Sequence, residues 1–133
     1  MRPPGPSPRR LAKPPSLTQR RDFLRVQREG RRFRRERVTL LCDGSPEPSA
    51  RVGYTVSRRV GESVVRNRVR RRLREIVRLN QELLVSGYDY VIVATPPAVK
   101  ASYAELEADL SAVLGACRTW AQGRARHEPE VTG

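Results

Sequence analysis

The chain has 133 residues and a formal net charge of +13, with 27 Lys and Arg against 14 Asp and Glu. This length supports one domain with a modest core, and the charge predicts an acidic partner. No apolar run reaches the roughly 18 residues that cross a bilayer, and the basic N-terminus lacks the apolar segment of a secretory signal. We therefore expect a cytoplasmic protein with no membrane partner.

The positive charge is concentrated in one part of the chain. Residues 1–78 carry 23 Lys and Arg against 7 acidic side chains, whereas residues 79–133 carry 4 against 7. A one-sided basic surface is typical of a nucleic-acid footprint. Only Lys13 and Lys100 are lysines. Because a guanidinium pairs with phosphate oxygens and stacks on bases, this bias favours a nucleic-acid partner, although a GC-rich genome would produce the same bias.

The first third of the chain predicts an arm and a helix. Residues 1–15 contain six prolines and four cations, a composition that predicts a disordered basic arm. A helix should follow over residues 16–30, with Ser16 or Thr18 as its cap and Ser16 and Gln19 in capping-box spacing. Gly30 should end it.

Three strand patterns come next. Phe33 opens a short stretch that ends in residues 38–42, and a turn-rich segment separates it from residues 50–57. The last pattern alternates, and its apolar face carries Val52, Tyr54 and Val56. Gly53 inside this strand predicts the close approach of another backbone.

Residues 58–74 contain eight arginines and one glutamate. At about 100° per residue, the helical wheel separates an apolar stripe from a basic side. The stripe consists of Val65, Val69, Leu73 and Ile76. The opposite side carries Arg66, Asn67, Arg70, Arg71, Arg74 and Arg78. We expect a helix from about Ser63 to Leu84 that buries the stripe and presents its arginines to a polyanion, since a purely solvated face would repel itself.

The C-terminal third predicts a strand and a final helix. Residues 88–94 form a nearly continuous apolar run, typical of a strand covered on both faces. Residues 102–120 follow as a helix, with a capping box of Ser102 and Glu105. Its apolar stripe contains Leu106, Leu110, Val113, Leu114 and Cys117. The order helix, three strands, helix, strand, helix predicts an α+β domain over residues 16–121, with a disordered tail at 122–133.

The sequence lacks the residues that an enzyme would need to cleave phosphodiesters on its own. The single histidine, His127, falls in the predicted tail, and no zinc spacing or glycine-rich phosphate loop is present. Cys42 and Cys117 lie within apolar patterns and are expected to be buried thiols. Nearly every outward residue of the arginine helix is Arg, which favours the phosphate-rich surface of a folded RNA over base reading in DNA.

Residues 51–75, RVGYTVSRRVGESVVRNRVRRRLRE, resemble the signature of the bacterial ribonuclease P protein subunit. The strand part of that signature is matched by Gly53, Val56, Ser57, Arg58 and Arg59. Its helix part is matched by Arg66, Asn67, Arg68, Arg70, Arg71 and Arg74. The element order agrees as well, so the resemblance covers roughly residues 16–120.

The resemblance implies three helices on a small mixed four-stranded sheet, in the order α-β-β-β-α-β-α, with a left-handed β-α-β crossover. It also implies a ribonucleoprotein whose catalytic RNA removes the 5′ leader of precursor tRNA, with Mg²⁺ bound by the RNA and no further protein partner required. The implied RNA-binding residues are Arg58, Arg59, Arg66, Asn67, Arg68, Arg70, Arg71 and Arg74. The implied leader cleft contains Phe23 and, less directly, Phe33 and Tyr54, although packing in the core would explain each of these aromatics equally well.

Two positions depart from the family pattern. Gln27 stands where many relatives have a second aromatic residue. Arg72 stands where many have an apolar one, and we expect its stem to lie on the core and its guanidinium to reach solvent or phosphate. The residues alone leave three alternatives: an RNA-binding protein of the ribosomal type, a nuclease acting alone, and a sequence-specific DNA regulator.

Overall fold

The computed structural model describes residues 13–127, with side chains described through Arg124. Within this range three α-helices and four strands occur in the predicted order. The helices are α1 (Arg20–Glu29), α2 (Ser63–Leu79) and α3 (Tyr103–His127), and the strands are β1 (Arg31–Arg34), β2 (Val38–Gly44), β3 (Arg51–Val56) and β4 (Tyr88–Ala94). The predicted α+β class is confirmed. The first twelve residues of the expected arm lie outside the described residues.

The four strands form one mixed sheet in the order β1-β2-β4-β3. β1 and β2 are antiparallel, as are β2 and β4, whereas β3 and β4 are parallel and are connected through α2. This arrangement contains the β-α-β unit that the resemblance implies, and the left-handed sense of its crossover stays a prediction. Because β3 is an edge strand, one of its sides is open to the residues that precede α1.

The two faces of the sheet are covered by different helices. One face packs under α2 and α3, and its core includes Leu40, Tyr90 and Ile92, all buried. The other face packs under α1, where Val26 contacts the smaller cluster of Leu41 and Val91. Since successive side chains in a strand point to opposite faces, the sheet separates these two clusters.

The start of α1 differs from the sequence prediction. The helix begins at Arg20, and its N-cap residue Gln19 makes no side-chain capping bond. Ser16 instead forms a parallel bridge to Val52 on the open edge of β3, and the Leu17 N–H donates to the Val52 carbonyl at 3.0 Å. The expected cap by Ser16 or Thr18 is therefore wrong, because this segment continues the sheet.

The end of α1 is fixed by a close approach of two backbones. Gly30 ends the helix, as predicted, and its N–H donates to the Val26 carbonyl at 2.8 Å. A Cβ atom at this position would stand 2.5 Å from the Val26 oxygen and 2.9 Å from the Cys42 oxygen. Only glycine lets the helix end this close to β2.

The arginine helix is shorter than predicted, since α2 ends at Leu79 rather than Leu84. Asn80 terminates it by bonding back to the last turn. Its side-chain amide donates to the Ile76 carbonyl at 2.8 Å, and its backbone N–H donates to both Ile76 and Val77. A 3₁₀ helix, Gln81–Leu83, then leads towards β4.

α3 begins with the predicted capping box. The Ser102 N–H donates to the Glu105 carboxylate at 2.9 Å, and the Glu105 N–H donates to the Ser102 hydroxyl at 3.1 Å. The helix runs through His127, so six residues of the expected tail are helical and residues 128–133 lie outside the described range. No helix of residues 13–127 combines the length and apolarity required to cross a membrane.

A buried carboxylate ties α1 to the sheet. Asp89 in β4 has no exposed surface and accepts from Arg51 Nε at 2.8 Å and from Arg51 Nη2 at 2.7 Å. Arg25 of α1 donates to the same carboxylate. Burial acts to raise the pKa of Asp89, but the hydrogen bonds from Arg51 and Arg25 outweigh it, so the pKa is lowered. The group stays ionised and holds both arginines.

Candidate nucleic-acid interface

The apolar stripe of α2 fixes the orientation of its arginines. Val69, Leu73, Ile76 and Val77 are buried, and Val65 is partly buried. The predicted stripe is confirmed, with Val77 added to it. Because the four buried side chains belong to the core beneath α2 and α3, the opposite side of the helix must face outward.

We call the eight residues implied by the resemblance the arginine surface. They are Arg58, Arg59, Arg66, Asn67, Arg68, Arg70, Arg71 and Arg74. All except Arg66 and Arg70 are exposed, and those two are half-buried. Arg58 and Arg59 lie in the 3₁₀ helix Arg58–Val60, directly before α2, and the other members lie on α2 itself.

Half of the arginine surface carries uncompensated charge. Among the described residues, the guanidinium groups of Arg58, Arg59, Arg68 and Arg71 have no carboxylate or hydrogen-bond partner. Exposed arginines that lack acidic neighbours repel one another unless a polyanion neutralises them. This part of the molecule is therefore suited to a ligand dense in negative charge.

Other members are held in place by short-range bonds. Arg66 Nε donates to the Gly61 carbonyl at 3.1 Å, and Arg70 Nη1 donates to the Asn67 side-chain oxygen at 2.9 Å. Gly61 has φ of +153°, a conformation that residues with a side chain rarely adopt. The glycine thus allows the turn between the 3₁₀ helix and α2, and its carbonyl orients the first arginine of the helix.

Arg72 is used inside the protein. Its side chain is half-buried, and Nη1 donates to the Ala101 carbonyl at 3.3 Å, just before α3. This bond uses one N–H of the guanidinium, and the expectation that the group reaches solvent or phosphate stays a prediction.

Arg74 lies over an aromatic ring. Its guanidinium carbon is 5.6 Å from the centroid of the Tyr54 ring, within the distance of a cation–π contact. Burial raises the pKa of Tyr54, which the nearby Arg74 lowers to a smaller extent. The phenol is therefore neutral at ordinary pH, and the pair joins β3 to α2.

The three candidate aromatics of the leader cleft do not lie together. Phe23 packs in the small cluster under α1, whereas Phe33 and Tyr54 pack against the core under α2 and α3. Phe33 makes an edge contact with Trp120, with ring centroids 6.0 Å apart. Grouping them in one cleft is wrong, because the sheet lies between them.

Phe23 lies directly over a glycine of β3. A Cβ atom at Gly53 would stand 2.6 Å from the Phe23 ring carbon Cε1. The close approach predicted at Gly53 is thus made by a side chain rather than by another backbone. Thr55 and Val93 lie on the same face of the sheet as Phe23 and are half-buried. The sheet surface beside α1 is therefore partly exposed.

Several arginines of the basic half are already neutralised by carboxylates. Arg25 and Arg51 bind Asp89, as described above. Arg37 Nη1 donates to Asp109 at 3.1 Å, across the gap between β2 and α3, and this bond raises the pKa of Arg37. Sequence reasoning missed these pairs because the partners lie 38 to 72 residues apart.

Possible catalytic side chains do not cluster in the described part of the chain. Among residues 13–127, no three His, Cys, Asp or Glu side chains come together in a way that could hold a metal ion. Cys42 and Cys117 are free and buried, as predicted. A hydrogen bond between the two thiols and their burial raise the pKa of Cys42, so the thiol is unreactive.

Comparison with known protein families shows which family the chain belongs to. The ribonuclease P family model matches residues 11–118. The chain belongs to this family. The ribonuclease P protein component of Chloroflexus aurantiacus is 43% identical over 93 residues, which is 69% of each chain. That of Alkaliphilus oremlandii is 39% identical over 98 residues, covering 74% of this chain and 83% of its own.

Solved structures of ribonuclease P proteins share the fold. The protein from Thermotoga maritima superposes with a TM-score of 0.69 at 27% identity, over 75% of this chain and 94% of its own. The Staphylococcus aureus protein gives a TM-score of 0.66 over 77% of this chain and 94% of its own. At 20% identity this likeness supports the shared fold alone. The chain is thus a protein subunit of ribonuclease P, which assists the RNA subunit in processing the 5′ end of tRNA.

Proposed function

We propose that the arginine surface binds the catalytic RNA of ribonuclease P. The observation that carries this proposal is the uncompensated charge of Arg58, Arg59, Arg68 and Arg71, on elements whose opposite sides are packed in the core. Phosphate contacts of this kind supply affinity and fix orientation without reading sequence. A folded RNA presents closely spaced phosphates, and arginine forks match their oxygens.

We further propose that the 5′ leader of precursor tRNA lies on the other face of the sheet, beside α1. Phe23 supplies an aromatic ring there, and Thr55 and Val93 are half-buried next to it. Unpaired bases stack on aromatic rings with little dependence on sequence, which suits a subunit that must accept many leaders. Gln27 lies one turn beyond Phe23 and offers an amide where a second ring would stack.

In this arrangement the protein assists chemistry that the RNA performs. In this proposal any Mg²⁺ that assists cleavage would be bound by the RNA, and residues 13–127 of the protein contain no cluster of side chains that offers an alternative site. The protein brings positive charge between two polyanions, which lowers their mutual repulsion and favours cation binding where the cut is made. Because its RNA partners act there, we place the protein in the cytoplasm.

Reconstitution tests the proposal. The purified chain is mixed with a bacterial ribonuclease P RNA and a precursor tRNA at low magnesium, and 5′ cleavage is followed. We expect faster cleavage with the protein than without it, and a smaller gain for a substrate whose leader is cut to one nucleotide. Equal cleavage with and without the protein would contradict the assisting role. An equal gain for both substrates would contradict the leader site alone.

A further inference from the structure

A cavity of about 430 Å³ opens at the free edge of β3, on the α2 side of the sheet. It lies between β3, α2 and the segment that precedes α1. Its polar lining consists of Lys13, Ser16, Tyr54, Arg71, Arg74 and the ion pair of Arg78 with Glu75. Volumes of this size are typical of sites that enclose a small organic ligand.

The wall formed by the N-terminal segment is held by backbone bonds. The Val52 N–H donates to the Pro15 carbonyl at 3.0 Å, and the Leu17 N–H donates back to the Val52 carbonyl at 3.0 Å. This short parallel pairing fixes the chain immediately after Lys13 against the sheet. This backbone pairing therefore positions Lys13 at the cavity.

The charge of the cavity selects an anion. Glu75 is paired with Arg78 at 2.7 Å, so its carboxylate is already neutralised. Lys13 and Arg71 have no carboxylate partner among the described residues. Two free cations at the mouth of one cavity favour a phosphate group, which accepts charge-assisted hydrogen bonds from both.

The inner wall selects a flat group. Arg74 is held over the Tyr54 ring, so the guanidinium extends the aromatic stack towards the cavity. Guanidinium planes and aromatic rings are the surfaces on which unpaired bases stack in RNA complexes. The cavity thus joins a phosphate-binding mouth to a stacking wall.

We propose that this cavity binds one unpaired nucleotide of RNA, with its phosphate at Lys13 and Arg71 and its base on the Arg74–Tyr54 stack. The inference rests on the proposed function in naming RNA as the source of the nucleotide. The pocket itself is defined by the geometry of this chain. It lies on the opposite side of the sheet from Phe23 and is distinct from the proposed leader site.

The test uses the full chain without any RNA subunit. Adenosine 5′-monophosphate, adenosine and inorganic phosphate are titrated separately, and binding is followed by amide chemical shifts. We expect the monophosphate to bind about tenfold or more tightly than either fragment, with shifts centred on β3 and α2. If the monophosphate binds no better than inorganic phosphate, the cavity holds an adventitious anion only and the proposal is overturned.

Matched variants locate the site. Arg74→Ala and Lys13→Ala each remove an exposed side chain that lines the cavity and should weaken monophosphate binding about tenfold. Arg34→Ala removes the same charge from β1, at the far edge of the sheet, and should leave binding unchanged. Equal weakening by all three variants would reduce the effect to net charge and overturn the proposal.

A second measurement separates this proposal from the assisting role. The unchanged protein is also assembled with the ribonuclease P RNA, and cleavage is compared with that by the RNA alone. Unaltered monophosphate binding by Arg74→Ala overturns the nucleotide site, whatever the cleavage result. Failure of the unchanged protein to assist the RNA overturns the proposed function, while its binding of the free monophosphate still measures the pocket.

Discussion

The ring of Phe23 lies against Gly53, so that a Cβ atom on residue 53 would be 2.6 Å from the ring carbon Cε1 and 3.2 Å from the Cβ of Leu17. The ring occupies the space that the side chain of any larger residue at position 53 would fill. α1 and β3 therefore form one surface, in which the glycine determines where the aromatic ring sits.

Gly53→Ala should consequently reproduce the loss of Phe23. The methyl group displaces the ring, whose far end is free to move, so we expect a modest loss of stability of about 1 kcal/mol. Binding of precursor tRNA should fall about as much as with Phe23→Ala, whereas binding of tRNA without a leader should not change. Titration of both RNAs measures the difference. Unchanged precursor binding by Gly53→Ala, with the fold retained, would contradict the position of the leader.

Substitutions of Phe23 and Phe33 should have different effects on the affinity for precursor tRNA. Phe23→Leu removes the ring beside the proposed leader path, so we expect precursor tRNA affinity to fall about tenfold, the order of one lost base stack. Phe33→Leu changes an aromatic on the other face, where the ring contacts Trp120, and should leave leader affinity unchanged. Equal effects of the two substitutions would show that the face of the sheet is not the deciding feature.

Two glycines should respond to alanine in opposite directions. Gly30→Ala brings a methyl group within 3 Å of two carbonyl oxygens of the backbone, which cannot move aside singly, so we expect a loss of about 1–3 kcal/mol. Gly115 lies within α3, and a Cβ atom added there would meet no neighbouring atom within 4 Å outside its own helix backbone. Gly115→Ala should stabilise the protein by up to about 1 kcal/mol. Urea denaturation measures both, and equal effects would contradict the contact at Gly30.

Substitutions in the arginine surface should change how the affinity for the ribonuclease P RNA depends on salt concentration. Arg68→Ala with Arg71→Ala removes two exposed cations that have no internal partner, so we expect unchanged stability and weaker binding of the ribonuclease P RNA. The slope of log affinity against log salt concentration should become shallower by about 1.4–1.8, since each lost phosphate contact removes roughly 0.7–0.9. Lys100→Ala with Arg118→Ala, a matched loss of charge from the acidic half, is the control. A slope shared by both pairs would contradict a localised interface.

Asp89→Asn should reveal the cost of removing the buried carboxylate that Arg25 and Arg51 share. The buried carboxylate binds Arg25 and Arg51, and removing one partner of such a network costs about 3–5 kcal/mol. Asp43→Asn is the control, because Asp43 also contacts Arg25 at 3.1 Å but is partly exposed, and it should cost about 0–1 kcal/mol. Urea unfolding at neutral pH compares them, and equal losses would contradict the special role of Asp89.

The same network predicts a dependence on pH. The folded pKa of Asp89 is lowered, so its stabilisation is fully present above the unfolded value of about 3.9 and is lost as the pH falls through the folded pKa. The difference in stability between the unchanged protein and Asp89→Asn should therefore shrink in acid. A difference that stayed constant from pH 7 to pH 2 would contradict the ionic origin of the effect.

Periodicity and the arginine signature were sufficient to predict most of the architecture. The stripe of α2, the β4 strand and the capping box of Ser102 were all correct, because each depends on residues close in sequence. The cap at Ser16 was wrong since that residue is paired with Val52, 36 positions away in the sequence, through backbone bonds of Pro15 and Leu17. Likewise, no local pattern indicates that Arg25 and Arg51 are internal or that Phe23 and Tyr54 face opposite ways.

β3 is the strand that both proposed RNA contacts share. Gly53 receives the ring of Phe23 on one side, and the next residue, Tyr54, receives Arg74 on the other. Under the two proposals, neighbouring residues of one strand would face different polyanions, and the thickness of a single sheet would set the distance between them. The subunit would then act as a spacer of fixed width between the two RNAs, and a bulge introduced into β3 should alter their separation.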